Sequence, residues 1–254
     1  MSDWVALTLR SPIERALDLS AVRADAFATL ATRELEALPV RYGGDAAVLG
    51  DFFAVTGERA ARVRVTGDLE RAEGLGTGMT GGELVIEGNV GRDVGLELAG
   101  GSVDVHGDAG ANAGGARPGA ARGAVGGELV IRGSAGEEAG TALRRGLVVV
   151  MGDAGRGAGR GMIAGTVIVG GQAGPGSGRF LKRGSIVALG AIEPPETFRR
   201  ACTYRPPHLR VQLRYLKRRY ALPLTDSHID GRYDRYSGDF AELGKGEILH
   251  WVGE

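Results

Sequence analysis

The sequence predicts a mainly β fold. Its core is a right-handed parallel β-helix of about 19 residues per coil, a period that marks a stacked repeat. A small N-terminal α+β cap and a C-terminal helix plus extended arm flank it. Three observations predict this fold. The spacing Gly-x-x-Gly-x-x-x-Gly recurs at Gly88/Gly91/Gly95, Gly107/Gly110/Gly114, Gly133/Gly136/Gly140, Gly152/Gly155/Gly159 and Gly171/Gly174/Gly178. A further glycine leads each unit (Gly82, Gly101, Gly127, Gly146, Gly165, Gly184). Aliphatic residues stand two and four positions after it: Leu84/Ile86, Val103/Val105, Leu129/Ile131, Val148/Val150, Val167/Val169 and Ile186/Ala188. Small residues occupy the next inward corner, at Ala109, Ala135, Ala154 and Ala173, with Val90 before them. A unit this short has no core of its own and buries its apolar side only against its neighbours. Parallel crossovers are overwhelmingly right-handed, which sets the expected hand. A flexible glycine linker would show no aliphatic ladder in phase with its glycines.

The chain divides into three segments: 1–60, a cap; 61–190, the repeat; and 191–254, a helix and an interaction arm. In the first, Val5, Leu7 and Leu9 alternate as a strand does. Asp18 or Ser20 is placed to cap a helix running towards Leu38, with Pro39 after it. Two strand-like runs follow, Ala46–Leu49 and Phe52–Val55. This segment is expected to cover the open first end of the repeat, because uncovered sheet edges aggregate.

The first repeat unit is partial: it keeps Gly67, Gly74, Val63 and Val65, and Glu70 replaces its middle glycine. One unit carries seven extra residues within Gly115–Gly126. The outward position between the two inward aliphatics reads Val85, Asp104, Val130, Val149, Ile168, Val187. Such an apolar strip marks an interface or is covered by the chain's own flanks.

In the third segment, Pro206-Pro207 opens a helix with Leu209, Leu213, Leu216 and Tyr220 on one face. Its other positions carry Arg210, Arg214, Lys217, Arg218 and Arg219. The stretch from Tyr233 to Trp251 carries Arg235, Tyr236, Phe240 and Ile248 and shows no core to join. It is expected to lie across a partner subunit.

Basic and acidic residues balance at 31 each, but unevenly along the chain: residues 141–220 hold fifteen basic against three acidic. Clustered charge of this kind steers association with an anionic partner. The partner-binding residues expected are Arg144, Arg145, Arg214, Arg218, Arg219, Tyr233, Arg235, Tyr236, Phe240 and Trp251. A single cysteine, Cys202, excludes an intrachain disulfide framework. No signal-peptide core and no run of about 18 apolar residues is present, so the chain is expected to be soluble and cytoplasmic, with neither nucleic acid nor membrane as partner.

No catalytic constellation stands out. Glycine runs such as Gly155–Gly159 lack the strand–helix context of a dinucleotide site. Gly244-Lys245-Gly246 lacks the spacing of a phosphate loop. His106, His208, His228 and His250 have no metal-ligand spacing, and Asp226 and His228 have no nucleophile motif beside them. Carboxylate catalysis on a solenoid needs paired acids, whereas Glu83, Asp104 and Glu128 are scattered. No catalytic, cofactor-binding or metal residue is therefore expected. A free-standing β-helix enzyme acting on carbohydrate or acyl groups is the alternative of another class. Acyltransferase solenoids, however, are built on strict hexapeptides, and the interval from Gly146 to Gly165 is not a multiple of six.

The glycine repeat resembles two related groups, the C-terminal domain of the glutamate synthase large subunit and the C subunit of formylmethanofuran dehydrogenase. The flanks favour the second. LTLRSPIERALDLS, VLGDFFAVTG and the insertion ARPGAARGAVGG are similar to its amino-terminal part and insertion. TFRRACTYRPPHLRVQLRYL and YDRYSGDFAELGKGEIL are similar to its bacterial version, in the formyltransferase/hydrolase complex of methylotrophs. The resemblance implies a non-catalytic scaffold in one-carbon metabolism (formaldehyde oxidation). A formyltransferase subunit passes formyl from tetrahydromethanopterin to a methanofuran-like carrier, and an amidohydrolase-like subunit releases formate. The basic face would then meet an acidic partner or the anionic glutamate tail of the carrier. A molybdenum or tungsten dehydrogenase containing the same subunit is the alternative within the family.

Overall fold

A computed structural model describes residues 3–253; the outermost positions of the first and last segments, 1–2 and 254, lie outside the described residues. In chain order the elements are β1 (Val5–Leu9), β2 (Leu17–Asp18), α1 (Ala24–Phe27), α2 (Thr32–Glu36), β3 (Pro39–Tyr42), β4 (Asp45–Val48), α3 (Leu49–Phe52) and β5 (Phe53–Thr56). The repeat supplies β6 (Arg62–Thr66), β7 (Ala72–Glu73), β8 (Glu83–Glu87), β9 (Ser102–Val105), β10 (Glu128–Ile131), β11 (Leu147–Val150), β12 (Thr166–Val169) and β13 (Arg183–Ala188). After it come β14 (Arg199–Tyr204), α4 (Pro207–Tyr220), α5 (Asp226–Asp230), β15 (Arg232–Gly238) and β16 (Lys245–Gly253).

The fold is mainly β, built on a 12-stranded sheet in the order β14-β15-β16-β13-β12-β11-β10-β9-β8-β6-β1-β5. From β6 to β13 every pairing is parallel and follows the repeat, so Leu129 sits opposite Val103 on one side and Val148 on the other. The insertion within Gly115–Gly126 bulges out as a loop without disturbing this register. A second parallel ladder of single bridges runs Leu69, Val90, Ala109, Ala135, Ala154, Ala173, Ile192. All ten inward aliphatics from Leu84 to Val169 are at most 1% exposed, and together with the alanine ladder they form one continuous core.

The glycines divide into two jobs. Leading glycines such as Gly146 stand at positive φ (106°), a conformation that side chains resist. Middle glycines such as Gly155 have ordinary φ but lie so near the previous unit that a Cβ would come within 2.7 Å of Glu137 N.

A third regularity is hidden in the sequence by the variety of residues that carry it. In four of the triads the side chain after the first glycine reaches forward to the next unit. Asn89 Oδ1 accepts from Asp108 N (2.9 Å), Asp108 Oδ1 from Ser134 N (2.7 Å), Ser134 Oγ from Asp153 N (3.1 Å) and Asp153 Oδ1 from Gln172 N (2.7 Å). Short polar side chains at this position satisfy backbone donors that the turn leaves unpaired.

At the first end, β1 pairs in parallel with β6 and antiparallel with β5. The expected long helix from Asp18 to Leu38 is not formed. Leu17 and Leu19 donate instead to the carbonyls of Arg71 and Glu73 at 2.9 and 2.8 Å, which makes this stretch a strand on the first unit. Only α1 and α2 remain helical, so tertiary pairing overrides the local helical signal.

The extended arm is also corrected. The segment after Tyr220 finds its core within the chain: β15 and β16 form an antiparallel hairpin, and β16 lies parallel to β13 with Ile248 opposite Ile186. Ile248 is fully buried, and Phe198 and Ile192 close the same end.

The outer apolar strip is covered by α4. Leu209, Leu213, Leu216 and Tyr220 pack on Val130, Val149, Ile168, Val187 and Leu249 in a second core. Pro207 opens the helix and Ala221 ends it in a left-handed conformation. Its last turn carries Lys217, Arg218 and Arg219, which suit the negative end of the helix dipole. No helix among the described residues is long and apolar enough to cross a membrane.

Candidate functional site

The conspicuous acids of the repeat serve internal docking. Glu128 Oε2 accepts hydrogen bonds from Tyr215 (3.0 Å) and Tyr220 (2.5 Å), which fastens α4 to the edge of β10. Burial, reinforced by that carboxylate, pushes the Tyr220 phenol far above its ordinary value. Glu83 pairs with Arg62 (3.0 Å) and Arg219 (3.5 Å). Asp104 breaks the apolar strip and receives both Nε and Nη2 of Arg132, at 3.0 and 2.8 Å. His106 bridges Asp104 (3.3 Å) and Glu87 (2.8 Å). These groups close on one another and leave no arrangement of nucleophile, base and orienting group.

The other chemistry-bearing residues are similarly engaged. Thr225 Oγ1 accepts from His228 N (3.1 Å), and His228 Nδ1 accepts from Thr225 N (3.3 Å), a reciprocal cap on α5. Burial lowers the His228 pKa, in keeping with an acceptor nitrogen and with the edge-on Trp251 ring at 4.7 Å. Hydrogen bonds from Arg200 and Thr203 hold the Asp234 carboxyl at about 2. Cys202 is exposed. Among the described residues no group of three His, Cys, Asp or Glu side chains is placed to hold a metal ion.

The ten predicted partner-binding residues separate into two sets. Six are engaged within the chain. Arg214 pairs with Asp230 (3.3 Å), Arg219 with Glu83, and Arg235 with Glu247 (2.9 Å). Tyr233 is 1% exposed and donates its hydroxyl to the His228 carbonyl. Tyr236 packs against the main core, and Trp251 donates Nε1 to Ser227 O at 3.1 Å. The other four, Arg144, Arg145, Arg218 and Phe240, face solvent. Their side chains carry no ion pair among the described residues. Arg144 and Arg145 line a cleft of about 700 Å³ together with Arg122 and the insertion loop.

The structure adds residues that the sequence pattern alone does not single out. Arg156, Arg160, Arg179 and Phe180 lie around a second cleft of about 540 Å³ near the last units of the stack. Arg160 and Arg179 place their guanidinium carbons 5.7 and 5.0 Å from the centre of the Phe180 ring. A signal for this is present in the repeat. Phe180 takes the left-handed position that Glu97, Ala142 and Gly161 take in other units, so a large aromatic there departs from the pattern. Leu243, close to Phe240 in the chain, is likewise exposed.

No family model matches the chain. Over 96 residues it is 32% identical to the C subunit of the tungsten-containing formylmethanofuran dehydrogenase 2 of Methanothermobacter marburgensis, a match covering 36% of each chain. Over 91 residues it is 32% identical to the C subunit of the molybdenum-containing formylmethanofuran dehydrogenase 1 of the same organism, covering 35% of this chain and 23% of the relative. The chain thus spans about a third or less of the length of these curated relatives. A solved structure, the formyltransferase/hydrolase complex from Methylorubrum extorquens in complex with methylofuran, contains a chain that matches with a TM-score of 0.82 at 31% identity. That match covers 97% of this chain and 99% of the other.

Proposed function

The chain belongs to the family of formylmethanofuran dehydrogenase C subunits, and from that premise we propose that it is a non-catalytic scaffold subunit of a formyltransferase/hydrolase complex. In this reading a formyltransferase subunit moves formyl from formyl-tetrahydromethanopterin to a methanofuran-like carrier. An amidohydrolase-like subunit hydrolyses it to formate, and this chain joins the two in the cytoplasm. The observation that carries the reading is the match along nearly the whole of both chains, flanks included, to a chain of such a complex. The intrachain use of Asp104, His106, Glu128 and His228 supports the non-catalytic part. We read the stack as a right-handed parallel β-helix. That hand is favoured by the parallel pairing of each unit with the next, as of Val148 with Val167. Residues 1–60 are its cap and 191–254 its closing and docking segment.

Purification of the tagged chain from its own cells, followed by mass spectrometry of the eluate, tests this. A formyltransferase and an amidohydrolase-like chain are expected in comparable amounts. A chain that purifies alone would contradict the reading. A molybdenum or tungsten oxidoreductase chain in their place would assign the subunit to the dehydrogenase instead.

A further inference from the structure

The fold holds one turn rigidly at the closing end of the stack and makes it present apolar side chains to water. The turn joins β15 to β16. Asp239, fully buried, fixes it: its carboxylate accepts from Phe180 N and Ala241 N, both at 2.8 Å, and its carbonyl accepts from Gly244 N at 2.9 Å. Phe240 N donates to Thr197 O at 3.0 Å. On this fixed backbone Phe240 is 59% exposed and Leu243 56% exposed. Both stand outside either core.

Phe180, tied to Asp239 through its backbone, brings Arg160 and Arg179 to the same region. Arg156 and Arg179 form no ion pair among the described residues, and Arg160 meets only a half-exposed Glu138 at 3.2 Å. The contrast with α4 is informative. There Arg210, Arg214, Lys217 and Arg219 all meet acids of the chain itself. The basic stretch of sequence therefore contains a helix neutralised by the chain itself, Arg218 excepted, and arginines on the stack, Arg156 and Arg179, that meet no acid among the described residues.

Protruding aromatic and aliphatic side chains on a backbone that loses little freedom on binding, beside arginines, have the composition and pre-organisation of an interface hot spot. They project outward, which suits a pocket in another protein and not a small ligand. Glu137 and Glu138 share the cleft, yet Arg156 and Arg179 stand outside ion-pair distance of any described acid, so carboxylates on a partner's rim would complement them. We propose that the surface around Phe240, Leu243 and Phe180, with Arg156 and Arg179, is the docking site for a different subunit. That subunit offers an apolar pocket rimmed by aspartate and glutamate. This deepens, and rests on, the reading of the chain as a complex subunit.

The test compares the tagged wild-type chain with Phe240→Ser/Leu243→Ser and, separately, Arg156→Glu/Arg179→Glu. Each is expressed in place of the native copy alongside the other subunits. All four side chains are exposed, so each purified variant should melt within a few degrees of wild type. Each should bring down at least tenfold less of one partner subunit, identified by mass spectrometry. Equal co-purification by both variants overturns the docking site and leaves the complex reading intact. Wild type purifying without partners overturns the complex reading and the site with it. Light scattering that shows a wild-type dimer lost in the serine variant would assign the surface to a second copy and overturn the proposal.

Discussion

Val148→Asp is expected to abolish cooperative folding. Val148 is 1% exposed and sits opposite Leu129 and Val167 in the middle of the inward ladder. Its Cγ2 would lie only 3.0 Å from a Cβ built on Gly114, so there is little room for a charged group to turn away or for water to follow it. A carboxylate buried without a partner costs several kcal/mol even when it takes up a proton, against a total stability of about 5–15 kcal/mol for a typical domain. The neighbouring units cannot close without it, because each unit's core is the next unit's surface. The variant should appear in the insoluble fraction or show no melting transition by circular dichroism. Val148→Ala, which removes apolar contact without adding charge, should cost roughly 2 kcal/mol and still fold. A Val148→Asp melting curve that overlays wild type would mean that the ladder is not the core.

Leu213→Asp should act on a different level, detaching α4 while the stack persists. Leu213 is fully buried between α4 and the outer strip formed by Val130, Val149, Ile168 and Val187. Truncating a buried leucine costs about 2–5 kcal/mol, and the unpaired carboxylate adds to that. Leu209, Leu216 and Tyr220 flank Leu213 on the same strip, so a charge at its centre disturbs their packing too, and the remaining ties are the two tyrosine bonds to Glu128 and exposed ion pairs worth at most about 1 kcal/mol each. The helical signal should fall, the β signal should stay, and an apolar dye should bind the uncovered strip. Val211, on the same helix but 68% exposed, provides the control: Val211→Asp should change stability by no more than about 0.5 kcal/mol. Simultaneous loss of helix and sheet in Leu213→Asp would show the two cores to be one cooperative unit.

Most of the stack is legible in the sequence because its determinants repeat. Leu84, Val103, Leu129, Val148 and Val167 stand in phase with glycines whose spacing reports the turns, and repetition separates signal from local propensity. The face of α4 is legible as well, through Leu209, Leu213, Leu216 and Tyr220. The surface it covers lies in plain view as Val130, Val149, Ile168 and Val187. What joins the two is not legible: Glu128 meets Tyr215 and Tyr220 across 87 and 92 residues.

The hairpin β15–β16 reads as an arm in the sequence because it adds a single strand to the stack, far along the chain from its parallel partner Arg183–Ala188. No periodicity announces a single pairing of that kind. The segment from Leu17 to Leu38 misleads for the opposite reason: its local pattern is helical, and the first repeat unit recruits Leu17 and Leu19 as a strand. For the candidate site, exposed Phe240 is legible as an aromatic with no partner in its segment. Phe180 is legible only as a departure from its own repeat, and the pairing state of each arginine requires the fold. Arg214 and Arg144 look alike in sequence, yet one meets Asp230 and the other meets solvent.

The scaffold role is tested most directly by removing the chain and asking whether its partners still find each other. The formyltransferase subunit would be tagged and purified from cells that have or lack this chain, and the amidohydrolase-like subunit in the eluate quantified by mass spectrometry. If this chain joins the two, the amidohydrolase-like subunit should be lost from the eluate in its absence and return when the wild-type chain is restored. Recovery of both subunits in unchanged proportion without the chain would contradict the scaffold role.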